Sequence, residues 1–109
     1  MSATIRVANF SELRDGFITL FKVAGKPVAL TRLGEAVFAF DGTCTHAKYL
    51  LGTSRLAQGC LIECPVHGAM FNARTGAVEK GPAEAPLPCI AVRCEGDDVI
   101  IEADWPQQA

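Results

Sequence analysis

Both histidines of the chain lie close to a cysteine, in two short segments of the sequence. His46 follows Cys44 by two positions, and His67 follows Cys64 by three. Spacing this short places the two side chains of a pair on one loop, where they can face a common point. Thiolate and neutral imidazole are ligands that hold zinc or iron in proteins. The two pairs therefore indicate one metal site that two neighbouring loops share.

The residue types alone leave two kinds of metal centre open. Two cysteines and two histidines can close a zinc tetrahedron. They can also hold a [2Fe–2S] cluster, with both cysteines on one iron and both histidines on the other. Small zinc modules usually keep one ligand type in each pair, whereas each pair here is mixed, and this favours the cluster. A Cys–His nucleophile site is a weaker alternative, because it needs one residue of each type and an orienting third group.

Length and composition describe an ordinary globular domain. The chain has 109 residues, of which half are apolar and a fifth are charged. Its formal net charge of −2 argues against a nucleic-acid binder, which normally carries a basic face. No apolar stretch approaches the ~20 residues of a membrane span, and the first residues lack the pattern of a secretory signal. We therefore expect a soluble, cytoplasmic monomer with no nucleic-acid or membrane partner.

The five cysteines, an odd number, are not typical of a secreted disulfide scaffold. Three of them lie outside the mixed pairs. Small buried or strand positions are the usual place for such cysteines. We expect this role for Cys60, Cys89 and Cys94.

Apolar alternation and turn signals predict an all-β chain. Strands are expected over 4–8 (at a sheet edge), 17–23, 28–33, 36–40, 89–94 and 99–103, with turns at 24–27, 34–35 and 95–98. Shorter strands are expected within 60–63 and 69–73. The proline-rich stretch 79–88 predicts a stiff loop. The one helical signal is a single turn over 11–16, with Ser11 as its cap and Gly16 at its end.

The segments "CTH" at 44–46 and "CPVHG" at 64–68 closely resemble the Rieske iron–sulfur motif. The similarity continues through "FAFDGTCTHA", "ECPVHGAMFNARTG", "GPAEAPLP" and "AVRCEGDDVII", and so covers nearly the whole chain. This resemblance implies a Rieske-type antiparallel β sandwich with an inserted cluster-binding loop and hairpin subdomain. It divides the single domain, 1–109, into a cluster-binding part at about 41–76 and a basal part at about 1–40 and 77–109.

The same resemblance implies one [2Fe–2S] cluster and assigns its ligands. Cys44 and Cys64 would bind the inner iron, and His46 and His67 the outer iron. The short form of the chain resembles the Rieske ferredoxins of bacterial multicomponent aromatic-ring-hydroxylating dioxygenase systems. In that family the ferredoxin carries single electrons from an NAD(P)H-dependent flavin reductase to a terminal oxygenase, and has no catalytic turnover of its own.

The resemblance therefore implies a ferredoxin reductase and a terminal oxygenase as partners. Lys48 and Tyr49, next to the first ligand pair, are candidates for the rim on which these partners dock. Two alternatives stay open at this point. One is a Rieske component of another redox enzyme, such as a monooxygenase or a nitrite-reductase-like protein. The other is a zinc-binding interaction module.

Four positions depart from the respiratory type of Rieske protein. Tyr49 and Val66 stand where that type has an extra cysteine in each ligand loop, so we expect no disulfide there. Ala69 and Phe71 stand where it has a serine and a tyrosine that donate hydroxyl hydrogen bonds to the cluster. Fewer donors stabilise the reduced, more negative cluster less. We therefore expect a reduction potential near the low end of the Rieske range, roughly −150 mV.

Overall fold

The structure, a computed structural model, describes residues 3–23, 25–43, 51, 53–64, 68–81 and 86–103. Its strands are β1 (Ala3–Asn9), β2 (Phe17–Val23), β3 (Lys26–Leu33), β4 (Ala36–Asp41), β5 (Ser54–Arg55), β6 (Leu61–Glu63), β7 (Met70–Asn72), β8 (Val78–Lys80), β9 (Cys89–Glu95) and β10 (Asp98–Ala103). A single 3₁₀ turn, Phe10–Glu12, follows β1. Within the described ranges, no helix has the length and apolar character needed to cross a membrane. The predicted all-β class is confirmed.

The strands form two antiparallel sheets. The larger sheet has seven strands in the order β1-β10-β9-β4-β3-β2-β5, and the smaller has three in the order β6-β7-β8. Strand β9 pairs with β4 through Ile90 and with β10 from Ala91 onward. The larger sheet therefore curls at β9 and carries β10 and β1 over the strands β2, β3 and β4. This arrangement is the predicted antiparallel sandwich.

Strands β2, β3 and β4 form the middle of three layers. On one face, Leu30 of β3 packs in an apolar cluster with Ile101 of β10. On the other face, Ala29 packs in a second cluster with Phe71 of β7. Because successive side chains of a strand point to opposite faces, all four residues over 28–31 are buried. The smaller sheet, which contains the second ligand pair's hairpin, thus rests on the middle of the larger one.

The helical turn differs from the sequence prediction in its position and its cap. It begins at Phe10, and the backbone N–H of the preceding Asn9 donates to the carboxylate of Glu12 over 2.8 Å. Ser11, the predicted cap, lies inside the turn. Its backbone N–H and its hydroxyl both donate to the carboxylate of Asp97, each over 2.9 Å. Because Asp97, in the turn between β9 and β10, accepts both of these hydrogen bonds, Ser11 does not act as the helix cap.

Strands β3 and β8 also extend into segments that the sequence predicts as a turn and a loop. Strand β3 already begins at Lys26, inside the expected turn, because Lys26 and Pro27 pair with the end of β2 although proline has no N–H. Strand β8 takes up the first two residues of the expected proline loop, and Lys80 pairs with Met70 of β7. The first proline of that stretch stands only at position 82, so the preceding N–H groups remain available for pairing.

Candidate metal centre

Cys64 is the one predicted ligand that lies within the described residues. Cys44, His46 and His67 lie outside them, and so do Lys48, Tyr49 and Val66. Cys64 directly follows β6, and its side chain is fully buried. It belongs to the apolar cluster between the middle layer and the smaller sheet. The structure thus places this thiol in the dry core rather than on the surface.

Two backbone hydrogen bonds close the loop that begins at Cys64. The N–H of Cys64 donates to the carbonyl of Ala69 over 2.8 Å, and the N–H of Gly68 donates to the carbonyl of Cys64 over 3.1 Å. Gly68 has a φ of +77°, a left-handed conformation that glycine adopts without strain. The hairpin therefore fixes the residues on both sides of the segment 65–67.

The two ends of the first ligand segment also meet. Leu51 donates its N–H to the carbonyl of Gly42 over 2.9 Å, and Gly42 donates its own N–H to the carbonyl of Pro27 over 3.0 Å. A Cβ added to Gly42 would lie 2.6 Å from Cδ1 of Leu20 and 3.0 Å from the carbonyl carbon of Pro27. A side chain at this position would have to displace Leu20 and press against the backbone of Pro27 in β3, so the close approach favours glycine. Sequence reasoning missed Gly42, although a glycine two residues before the first ligand pair was an available signal.

One apolar cluster joins the ends of three loop segments. It contains Leu51 after the first ligand segment, Cys64 and Ala69 on either side of the second, and Leu87 after the proline-rich segment. All four side chains are at most 4% exposed. Leu87 is held further by its N–H, which donates to the carbonyl of Gly76 over 2.9 Å. This shared core brings the described ends of three segments together, as two ligand loops require if they are to share a centre.

The donor chemistry around Cys64 suits a soft metal ligand. A thiolate binds iron well, and an apolar, water-poor shell is one of the factors that set the properties of an iron–sulfur centre. Ala69 and Phe71 are both fully buried in the same cluster as Cys64, and neither side chain carries a hydroxyl group. The residues present are therefore compatible with a cluster that receives few side-chain hydrogen bonds.

The three remaining cysteines are exposed free thiols. Cys89 and Cys94 lie in β9, as strand residues, whereas Cys60 lies in the turn before β6. The thiol of Cys89 donates to the carbonyl of Thr75 over 3.1 Å. Partial burial raises the pKa of the Cys94 thiol. The expectation of a core or strand position therefore holds for Cys89 and Cys94 and is wrong for Cys60, which is exposed in a turn.

Comparison with known families decides between the two metal centres. The Rieske [2Fe–2S] domain matches residues 3–91 of the chain. The chain belongs to the Rieske family. The [2Fe–2S] cofactor expected from the mixed pairs is thereby confirmed, and the zinc module is set aside.

Relatives extend the similarity over almost the full chain. The ferredoxin component of biphenyl 2,3-dioxygenase from Rhodococcus jostii RHA1 is 31% identical over 102 residues, or 94% of each chain. The ferredoxin of carbazole 1,9a-dioxygenase from Nocardioides aromaticivorans IC177 has a TM-score of 0.82 at 33% identity, covering 91% of this Rieske chain and 96% of that one. A chain in the complex of reduced oxygenase and oxidized ferredoxin of carbazole 1,9a-dioxygenase has a TM-score of 0.81 at 32% identity, with 90% and 91% covered.

Proposed function

We propose that this Rieske protein is the ferredoxin component of a multicomponent aromatic-ring dioxygenase system. Its role is to carry single electrons to a terminal oxygenase, and it is not itself the catalytic subunit. One observation carries this function: the match to the biphenyl dioxygenase ferredoxin component spans 94% of both chains, so the similarity involves the whole of that carrier. The same architecture recurs in the carbazole dioxygenase ferredoxin, with a TM-score of 0.82.

The proposed ligands of the cluster are Cys44 and Cys64 for one iron and His46 and His67 for the other. When bound, the cluster supplies a centre that accepts and releases one electron. The chain's own residues hold and shield this centre. The hydrogen bonds of Cys64 to Ala69 and Gly68 support the assignment, because they hold the residues on both sides of the segment that contains His67.

The division into a basal part (1–40 and 77–109) and a cluster-binding part (41–76) remains a proposal. Pairing of β6 with β7, apart from the larger sheet, supports it. The boundary between the two parts does not coincide with the boundary between the two sheets. Strand β5 of the cluster-binding part pairs with β2 of the larger sheet, and β8 of the basal part pairs with β7 of the smaller one. The two parts are therefore packed layers of one domain rather than separate units.

The partners are proposed from the systems in which the relatives work. The carbazole dioxygenase ferredoxin forms a complex with its oxygenase. We infer a corresponding oxygenase partner here, and a flavin reductase that supplies the electrons. A monomeric state and a cytoplasmic location are part of the same proposal.

Single-turnover electron transfer tests the proposal. The purified protein should contain about two iron and two sulfide ions per chain, and should give an EPR signal after one-electron reduction. The reduced protein is then mixed with oxidised terminal oxygenases of the biphenyl and carbazole types, and cluster reoxidation is followed by its visible absorbance. Reoxidation should be much faster with a cognate-type oxygenase than with buffer. A colourless zinc protein, or equal reoxidation in every mixture, would contradict the proposed function.

A further inference from the structure

Two arginine side chains stack against one phenylalanine at one end of the larger sheet, and a third arginine is paired with that phenylalanine on the neighbouring strand. Phe17 of β2 pairs with Arg32 of β3 on one side and with Arg55 of β5 on the other. Directly paired residues of antiparallel strands point to the same face of the sheet. The guanidinium carbons of Arg14 and Arg55 lie 4.3 Å and 5.0 Å from the centroid of the Phe17 ring. We call Arg14, Phe17, Arg32 and Arg55 the arginine surface.

None of the three arginines forms an ion pair with a carboxylate that the structure describes. Both ion pairs of the described residues lie elsewhere, on β1, β9 and β10: Arg6–Asp98 and Arg93–Glu95. Asp15, the acidic residue nearest in sequence, accepts the backbone N–H of Gly34 over 2.8 Å instead. Glu35 lines a shallow cavity of about 280 Å³ together with Arg32, without forming an ion pair among these residues. Arg14 and Arg55 are both exposed to solvent.

Arg32 adds a third charge that is held in a fixed position. Its Nη1 donates to the carbonyl of Leu13 over 2.7 Å, and its Nε donates to the carbonyl of Gly34 over 2.8 Å. Its guanidinium carbon lies 4.1 Å from the centroid of the Phe10 ring. Backbone carbonyls order this side chain but leave its full charge in place.

The arginine surface lies at the end of the sheet remote from the first ligand segment. Strand β4 leads into that segment after Asp41, and Asp41 pairs with Val28 of β3. Arg32 pairs with Val37, near the start of β4. Four residues of strand separate the two pairs, which is about 13 Å. The arginine surface is therefore displaced along the strands from the residue after which the first ligand segment begins.

We propose that the arginine surface binds a glutamate- or aspartate-rich segment of a partner protein. A guanidinium group stacks on an aromatic ring with the flat face of the guanidinium. The N–H donors lie in the plane of the guanidinium, so they remain available to bind a carboxylate through two hydrogen bonds. The surface is shallow and runs across three strands, so it suits an extended acidic segment better than an enclosed small anion. The choice of a protein as the source of the carboxylates rests on the proposed function, in which the chain works beside other proteins.

Binding of a fluorescently labelled octaglutamate peptide tests the proposal on the intact holoprotein. Fluorescence anisotropy is measured at low ionic strength, about 10 mM, where charges are screened least. The chain has a net charge of −2, so diffuse attraction of an acidic peptide is not expected. The double variant Arg14→Gln/Arg55→Gln should bind about tenfold more weakly, since it loses two exposed charge contacts. The control Arg6→Gln/Arg93→Gln, which removes the same charge, should bind as the wild type does.

Equal affinities of the two double variants, or no binding by the wild type, would overturn the proposal. A second measurement needs no variant: amide NMR shifts on peptide addition should cluster at Gly16, Phe17 and Ser54. Shifts confined to β1, β9 and β10 would overturn the proposal as well. Displacement of the peptide by inorganic phosphate, added at the same concentration of negative charge, would also overturn it. The EPR signal and oxygenase-dependent reoxidation are measured alongside. If they fail while the peptide binds as expected, the proposed function is at fault and the arginine surface is not.

Discussion

The hydroxyl of Thr31 donates a hydrogen bond to the carbonyl oxygen of Ala73 over 2.8 Å, across the boundary between the two sheets. Thr31 lies in the middle strand β3, and Ala73 directly follows β7 of the smaller sheet. Among the described residues, Thr31 is the one polar side chain that is buried. Because β7 begins beside the loop of Cys64, this bond ties the hairpin that carries a proposed ligand to the main sheet.

Replacing Thr31 by valine should lower the free energy of unfolding by about 1–3 kcal/mol, because the Ala73 carbonyl then stays buried without a donor. Urea denaturation of the holoprotein, followed by circular dichroism, measures the change. Thr31→Ser keeps the hydroxyl and serves as the control, with a smaller loss from the missing methyl group. If the valine variant proves as stable as the wild type, the hydrogen bond contributes nothing to holding the sheets together.

Gly42→Ala should destabilise the protein by about 1–3 kcal/mol, the usual cost of forcing an extra methyl group into a packed site. The added Cβ would meet Leu20 at 2.6 Å and the backbone of Pro27 at 3.0 Å. Because Gly42 lies at the base of the first ligand segment, the bound iron per chain should fall too. Gly81→Ala is the matched control, since a Cβ there meets nothing within 4 Å. Equal stability and iron content in the two variants would contradict the close packing at Gly42.

Strands β2, β4, β9 and β10 were predictable because their signals are local. Strand β2 has the predicted bounds, 17–23, and β4, β9 and β10 each differ from the prediction by one residue. Strands β5 and β8 were not predictable in the same way. The two residues of β5 are exposed, and β8 ends in two exposed charged residues, so neither shows apolar alternation. Strand β5 forms because β2, which is distant in sequence, offers its edge, whereas β8 pairs with the neighbouring β7 across a short turn.

Some residues of the candidate site can likewise be recognised from local sequence, and others cannot. The mixed Cys–His pairs are recognisable because two or three positions separate their members. Nothing local distinguishes Thr31, whose acceptor lies 42 residues away. Leu51 and Leu87 likewise appear as ordinary leucines until the fold brings them into one cluster with Cys64. The proposed ligands can thus be recognised from their spacing in the sequence. The residues that hold the ligand loops can be recognised only from their packing in the fold.

Cys64→Ser should abolish or strongly reduce cluster binding, while Cys60→Ser should leave it intact. Cys64 is fully buried in a loop closed by two backbone hydrogen bonds, whereas Cys60 is an exposed thiol in the turn before β6. A serine hydroxyl is a much harder and less readily ionised ligand than a thiolate. Iron and sulfide content, visible absorbance and the EPR signal after reduction measure the outcome. A Cys64→Ser protein with a full complement of iron would remove Cys64 from the proposed ligand set.

Ala69→Ser should raise the reduction potential of the cluster, which we expect at roughly −150 mV in the wild type. Ala69 is fully buried, and its carbonyl accepts the N–H of Cys64 over 2.8 Å, so its side chain lies on a residue directly bonded to a proposed ligand. A hydroxyl donor there would stabilise the negative charge gained on reduction. A hydrogen bond to a charged group contributes about 1.5 kcal/mol or more, which corresponds to a rise on the order of 60 mV for one electron. The exposed Ala77 offers the matched control Ala77→Ser, for which EPR-monitored redox titration should show no shift. A strongly positive wild-type midpoint, or equal potentials in the two serine variants, would show that the missing hydroxyls do not set the potential.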